Sequence, residues 1–492
     1  MNNKNEAKES STEISKEIKE KHVVELEEET EHTLWSVIKL PWYEYVIVGL
    51  LLAVTIAMYI LYANKGGEFF LIGKIITSVI LGIWLAFRPS EWAVDGLDNL
   101  MRAVGLTAYV AGVISSIASN LPEAIAAGIM LIKGKFIIGG TVGEDLIHTA
   151  FYTTLAAAGF NAILLGIVVL VGGKRKGYIE IKKETVMAEG VLLRWGFVAT
   201  LLTFGLAIII ILDEIFTEIH AGTNFPGIEG ITAELPRMTG AVLVLSYIIY
   251  MIFLIVKSRE ARAAELHTDP IKATKPTRSK LNEKMPEFVT TQNAQRKILD
   301  TQEEINIVDP HSEETIETYS GSSAKIDNPY AVAPTMKRPN LGVWSAVILV
   351  LLGIGGVVGG GFLLSNAVEG VLHETDLSIG LIALIVGFSG AVPEHGIAVM
   401  AAVKGKTDVA LGNILGGMLQ MTLLIFGLFA IIVPAPINDF MLFQLIALAG
   451  ILWFVKRSIT DDNRLTSFEG IMVILAQTFA FLLLILGLPG II

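Results

Sequence analysis

Long apolar runs alternate with short polar segments along most of the chain. An uninterrupted apolar run of about 18 residues or more is long enough to cross a bilayer as an α-helix. The pattern predicts eleven such spans, with approximate bounds 43–63, 69–88, 103–132, 148–172, 191–212, 237–257, 342–366, 377–403, 407–433, 438–456 and 468–488. We therefore expect an all-α polytopic membrane protein.

Two polar stretches divide the spans into groups. Residues 1–42 are rich in Glu and Lys and predict an acidic tail, whereas the proline-rich, charged residues 258–340 predict a linker loop. The remaining segments are an extra N-terminal transmembrane helix at 43–63, a group of five helices at 69–257, and a second group of five at 341–492.

Composition supports this division and excludes several kinds of protein. Apolar residues make up 53% of the chain and charged residues 17%. The absence of cysteine excludes disulfides and thiolate metal sites. Without a Walker-type loop there is no nucleotide site to drive a pump. We expect no cofactor, no nucleic acid and no nucleotide; the expected partners are the lipid bilayer and transported cations.

Basic residues orient the predicted spans. Lys and Arg concentrate on cytoplasmic loops, and here they cluster at 174–183, at 404–406 and within 258–340. This arrangement places the N-terminus and the 258–340 loop in the cytoplasm, with Lys133 and Lys135 as exceptions on the opposite side. An acid-rich N-terminus is unlike a cleavable signal peptide. With the short loops, it favours a prokaryotic plasma membrane.

One short motif occurs twice. Ser119-Asn120-Leu121-Pro122-Glu123 lies in span 3, and Gly390-Ala391-Val392-Pro393-Glu394-His395 lies in span 8. Each copy follows an Ala-Val-acid-Gly sequence, which contains Asp95 in the first half and Glu369 in the second. Because the copies are five spans apart, they cross the membrane in opposite directions. This predicts two inverted-topology repeats of five helices plus one extra helix.

The two glutamates are the candidate cation ligands. An ionisable side chain within an apolar span usually has a function, and neither span 3 nor span 8 carries a central Lys or Arg. Proline releases nearby backbone carbonyls, and hard cations bind carboxylate, carbonyl and amide oxygens. Glu123 and Glu394 are therefore expected at one site, with Ser119, Asn120 and Ser389 within about one helical turn.

Span 9 carries two further amides. Asn413 and Gln420 are seven residues apart, which places them on one face of a helix. The glycines around them have an alternative explanation, because small residues allow membrane helices to pack closely. In span 4 the corresponding feature is weaker, with Gly159 and Asn161.

With these motifs, the chain resembles the cation/Ca²⁺ exchanger superfamily. The resemblance is greatest over 390–420, including Pro393-Glu394-His395 and Gln420, and it extends to spans 2 and 3. It implies two inverted five-helix repeats. It also implies ligand roles for Glu123 and Glu394, for Ser119 and Asn120, and for Asn413, Gln420 and Asn161. Ala391 departs from the Asn or Ser expected there, and this departure bears on which ion is carried.

The expected function is a secondary active cation antiporter. It would export Ca²⁺ in exchange for H⁺ or Na⁺ by alternating access at a two-glutamate site at the midplane. Na⁺/H⁺ or K⁺/H⁺ exchange is an alternative on the same fold, and a channel is another. A remote alternative is an intramembrane serine protease, because Gly387-Phe388-Ser389-Gly390 resembles a nucleophile motif, although such a site needs a base on another element.

Overall fold

The structure is a computed structural model that describes most of the apolar part of the chain. It describes residues 37–103, 117–174, 176–181, 183–220, 233–268, 341–375, 377–403 and 407–486. The chain divides into a unit formed by residues 1–260 and 329–492 and a unit formed by residues 261–328. Residues 1–36 of the predicted tail (1–42) and most of the predicted linker loop lie outside the described residues.

Helices dominate the described chain. They are α1 (Trp42–Lys65), α2 (Glu68–Ala103), α3 (Leu121–Lys133), α4 (Gly140–Gly172), α5 (Lys183–His220), α6 (Arg237–Thr268), α7 (Val343–Glu374), α8 (Ile379–Val403), α9 (Thr407–Leu419), α10 (Phe426–Ile432), α11 (Asp439–Asp462) and α12 (Ser467–Leu486). Two π-helical segments, Gly134–Ile138 and Gln420–Ile425, follow α3 and α9.

The helices agree with the predicted spans in kind but differ in length. Seven described helices are long and apolar enough to cross a membrane, and three more are apolar but shorter. Part of span 3 lies outside the described residues, so the count of eleven stays a prediction. Helices α2 and α7 continue well past their apolar runs, to Ala103 and Glu374. Hydropathy marks the apolar length of a span, whereas a helix continues as long as its backbone hydrogen bonds are satisfied.

Two small antiparallel sheets occur among the described residues of this otherwise helical fold. β1 (Tyr178–Glu180) pairs antiparallel with β4 (Arg464–Thr466). β2 (Glu234–Leu235) pairs antiparallel with β3 (Ala435–Pro436). Each sheet pairs two segments that connect neighbouring helices. If eleven spans alternate in direction, the two segments of each pair lie on the same side of the membrane, so the pairing agrees with the predicted alternation. A span count cannot foresee these strands, because their partners are distant in sequence.

Helices α2 and α7 pack closely along their length. A Cβ added to Gly360 of α7 would lie 2.5 Å from the backbone nitrogen of Ala86 and 2.6 Å from the carbonyl oxygen of Gly82. A Cβ added to Gly353 would lie 2.6 Å from the backbone nitrogen of Ala93. Small residues allow this approach, as is usual between membrane helices. The first helix of each predicted repeat therefore packs backbone to backbone against the other.

This packing predicts a difference between two neighbouring glycines. Gly360→Val should lower the free energy of unfolding by about 1–3 kcal/mol, because the added methyl groups cannot fit against α2. Gly359→Val is the matched control, since nothing lies within 4 Å of a Cβ at Gly359. Thermal unfolding of the purified variants in detergent measures both. Equal melting temperatures for the two variants would contradict the packing.

Two close glycine contacts lie at corresponding places in the two halves of the chain. Gly427, which follows the second π-helical segment, meets Gly240 of α6, and Gly166 of α4 meets Gly470 of α12. In each case a Cβ on one glycine would lie 3.0 Å or less from the carbonyl oxygen of the other. Each contact joins a helix of one half to a helix of the other, as an inverted repeat requires. Helix α4 lies in the core and contacts α3, α8, α9, α11 and α12.

Candidate functional site

The first copy of the repeated motif begins a helix in the interior. Asn120 is the N-cap of α3, and Pro122 follows in the first turn, where the absence of an N–H costs nothing. Glu123 lies in that same turn, with 2% of its surface exposed. The positive end of a helix dipole favours a carboxylate at this position. The sequence thus breaks the span and places a buried acid at the break.

Glu123 packs directly against the second copy of the motif. A Cβ added to Gly390 of α8 would lie 2.3 Å from Cγ and 2.9 Å from Cδ of Glu123. Only a glycine leaves this space, so the carboxyl group reaches the backbone of α8. A narrow cleft beside the contact is lined by Pro122, Glu123, Ser389 and Gly390, with apolar residues of α2 and α7.

Three amide side chains meet at the start of α3. Nδ2 of Asn120 donates to Oε1 of Gln420 at 2.8 Å, across 300 residues of sequence. A Cβ added to Gly417 would lie 2.9 Å from Nδ2 of Asn161 and 3.4 Å from Nδ2 of Asn120. All three amides are at most 3% exposed. The absence of a side chain at Gly417 of α9 therefore leaves room for the amides of Asn161 on α4 and of Asn120 at the start of α3.

Gln420 occupies an irregular part of its span. It is the first residue of the π-helical segment that interrupts the α9–α10 span, and π-helical turns are frequent at functional sites. The side chain of Tyr247 from α6 lies beside it and is 3% exposed. The sequence pattern does not predict Tyr247 as a site residue. Its position follows from the Gly240–Gly427 contact, because Tyr247 and Gln420 are each seven residues from that crossing.

The remaining predicted site residues have other surroundings than these amides. The hydroxyl of Ser389 lines the cleft while it donates to the carbonyl oxygen of Val386 at 2.8 Å. Ser119 is half-buried beside Asn120. Asn413 is half-buried in α9. Within the described residues, no contact joins it to the three amide side chains. The side chains of Glu394 and His395 lie outside the described part of the structure.

The two copies of the motif differ in their backbone. The first forms a break and a new helix start, whereas α8 runs without interruption from Ile379 to Val403 and includes Pro393. Pro122 therefore lies in the first turn of a helix, whereas Pro393 lies inside one. Position 394 follows Gly390 by about one helical turn, so the two positions share a face of α8.

The chemistry of this cluster suits a hard cation. It combines one buried carboxylate with amide and hydroxyl oxygens, which are the ligands such cations prefer. Oδ1 of Asn161 is buried and receives no hydrogen bond within the described residues, and a buried oxygen of this kind is normally satisfied by water or an ion. Among the described side chains, no group of three acidic or histidine residues could hold a metal. Amides would therefore supply much of the coordination.

Comparisons with known proteins identify relatives of the chain. The sequence profile described as sodium/calcium exchanger protein matches residues 70–256 and 345–488. A Ca²⁺/H⁺ antiporter of Synechocystis sp. is 29% identical over 148 residues, which cover 28% of this chain and 38% of the relative. The chain thus matches less than two fifths of that relative's length.

A solved structure shares the fold. The crystal structure of the H⁺/Ca²⁺ exchanger CAX aligns with a TM-score of 0.53 and 14% identity, over 91% of this chain and 94% of that chain. The likeness shows the architecture alone, because the identity is low. It confirms the fold class predicted from the repeated motif. With the family profile over both halves, the chain belongs to the sodium/calcium exchanger protein family.

Proposed function

We propose that the chain is a secondary active antiporter that exports Ca²⁺ in exchange for H⁺ or Na⁺. The observation that carries the proposal is the burial of Glu123 against Gly390, at the start of a helix whose N-cap Asn120 meets the amides of Gln420 and Asn161. Acidic side chains at membrane depth mark ion pathways, and carboxylate and amide oxygens are ligands that a hard cation prefers.

In this proposal Glu123 and Glu394 supply the negative charge of the site. Their carboxylates would neutralise Ca²⁺, and oxygens of Asn120, Ser119, Ser389, Asn413 and Gln420 would complete the coordination together with backbone carbonyls. The Synechocystis relative is named a Ca²⁺/H⁺ antiporter, which supports this pairing of ions. Because a carboxylate binds either a proton or a metal ion, the same acids can exchange one for the other.

Alternating access would follow from the arrangement of the helices. The site lies where α3, α8 and the α9–π segment meet, and each half of the chain contributes to it. A movement of one helix group against the rest would expose it to one side and then to the other. Binding of either ion would neutralise the buried charge, and a neutralised site is less costly to move through the interior.

The substrate and counter-ion can be tested in proteoliposomes. We expect ⁴⁵Ca²⁺ uptake into vesicles that carry an outward gradient of H⁺ or Na⁺, and no uptake without such a gradient. Uptake should be lost in Glu123→Gln and Glu394→Gln and retained in Glu68→Gln, which changes an exposed acid at the start of α2. Failure of every gradient to drive Ca²⁺ uptake would contradict the proposal.

The same vesicles separate the alternatives. Proton flux driven by a Na⁺ or K⁺ gradient, without Ca²⁺ uptake, would indicate Na⁺/H⁺ or K⁺/H⁺ exchange. Ca²⁺ flux that needs no counter-ion would indicate a channel. Cleavage of a membrane peptide that is lost in Ser389→Ala would support the protease alternative.

A further inference from the structure

A buried lysine ends α3, the helix that carries Glu123 in its first turn. Lys133 is 8% exposed, and its Nζ donates to Oδ1 of Asn366 at 2.7 Å. The same Nζ pairs with Oε2 of Glu369 at 2.5 Å. Both oxygens come from α7, where they are three residues apart and therefore on one face. The sequence pattern alone places Lys133 just after a span, on the outer side, and indicates no partner for Glu369.

The ammonium group of Lys133 is thus a cation that belongs to the chain itself and is bound by two oxygen atoms of α7. An ammonium is strongly hydrated, and its burial is costly unless oxygens replace its water. Asn366 and Glu369 provide an amide oxygen and a carboxylate, which are also ligands of hard metal ions. The side chain of Glu369 is 36% exposed, so water and dissolved ions have access to this position.

The position is coupled to the candidate site through α3. Glu123 and Lys133 are ten residues apart, which corresponds to about 15 Å along a helix. Between them α3 packs on α7: a Cβ added to Gly361 would lie 2.8 Å from Cδ1 of Ile129 and 3.2 Å from Cγ2 of Ile125. Any sliding of α3 along α7 would separate Lys133 from Asn366 and Glu369.

We propose that Asn366 and Glu369 form a second, peripheral cation-binding position, and that Lys133 occupies it as a tethered competitor. While Lys133 is bound, this end of α3 is fixed to α7 and the position excludes dissolved cations. When α3 moves along α7, the freed oxygens bind a hard cation, Ca²⁺ or Na⁺, at the end of the helix that carries Glu123. The binding position stands on the local geometry, whereas its effect on transport rests on the proposed function.

Cation binding tests the position without any need for transport. In a Glu123→Gln background, Lys133→Met should add binding of ⁴⁵Ca²⁺ or ²²Na⁺ to the purified protein, with a dissociation constant of about 10⁻³ M for Ca²⁺, as for weak calcium modules. Comparison of the two isotopes shows which cation is preferred. Lys135→Met, at an exposed lysine two residues further on, should add no binding. Further substitution of Glu369→Gln should remove the added site.

Two results would overturn the proposal. One is that Lys133→Met binds no more cation than the Lys135→Met control. The other is that the added binding persists after Glu369→Gln. Melting temperatures guard against misfolding, and the double variant Lys133→Met, Glu369→Gln keeps a neutral pair at the same place. If the pair were only structural, this double variant would retain stability while no variant gained a cation.

Transport gives a separate readout. In the otherwise unchanged chain, Lys133→Met should lower the Ca²⁺ concentration for half-maximal uptake from the side of Lys133 about fivefold or more, a typical coupling between sites. Lys135→Met should leave it unchanged, and an unchanged value in Lys133→Met would contradict the coupling. If the wild-type chain carries no Ca²⁺ at all, the proposed function fails, but the binding experiment still decides the peripheral position.

Discussion

Glu123→Gln should abolish Ca²⁺ binding and transport while it leaves the fold intact. Glu123 is 2% exposed, so the cation it neutralises is bound away from bulk water. Removing one partner of a buried charge pair costs about 3–5 kcal/mol, which corresponds to a loss of roughly 100-fold or more in affinity. Glutamine keeps the size of the side chain and can remain against Gly390.

The thermal stability of Glu123→Gln should not fall with its Ca²⁺ affinity. A neutral amide is less costly to bury than a carboxylate, so without Ca²⁺ the variant should melt at the same temperature as the wild type or higher. Added Ca²⁺ should raise the melting temperature of the wild type, since ligands that bind only the folded state stabilise it, and should leave the variant unchanged. A normal Ca²⁺-dependent rise in Glu123→Gln would show that the cation binds elsewhere.

Gly390→Ala should produce the second large effect. The added methyl carbon would lie 2.3 Å from Cγ of Glu123, a distance that forces either the carboxylate or α8 to move. Overpacking of this kind costs about 1–3 kcal/mol, and it displaces the carboxylate from the position in which we propose that it binds the cation. We expect lower thermal stability together with a strong loss of ⁴⁵Ca²⁺ uptake.

Two further variants separate the clash from a general effect of alanine. Gly355→Ala adds the same methyl group to a membrane helix where nothing lies within 4 Å, so stability and uptake should be retained. Glu123→Asp shortens the acid by one methylene, and in combination with Gly390→Ala it should recover part of the lost stability. If Gly390→Ala transports normally, Glu123 does not depend on its contact with α8.

Much of the fold is predictable from the sequence because the bilayer is a simple solvent. A run such as 43–63 must form a helix, since backbone groups in hydrocarbon need internal hydrogen bonds, and α1 covers Trp42–Lys65. The repeated Pro-Glu motif likewise indicates the family and the acid of the first half. The ends of α2 and α7 could not be predicted from the apolar runs, because polar residues continue a helix when neighbouring helices cover them.

The sequence by itself determined which residues are costly at membrane depth: Glu123 and Asn120 in one half, Gln420 in the other. It did so because the cost of burying a charge or an amide depends on the residue and on the length of the apolar run around it. Which groups meet was decided only by the tertiary structure. Asn120 reaches Gln420 across 300 residues, and Lys133 reaches Glu369 across 236.

Glycines explain why contacts of this kind could not be derived from the sequence alone. Gly390 and Gly417 matter through the space they leave for Glu123, Asn120 and Asn161, and that space exists only when a second helix is packed against them. A glycine in a sequence gives no indication of which side chain will fill its place. The Pro-Glu motif thus specifies the charge of the candidate site, and the packing of α3 on α8 specifies where that charge lies.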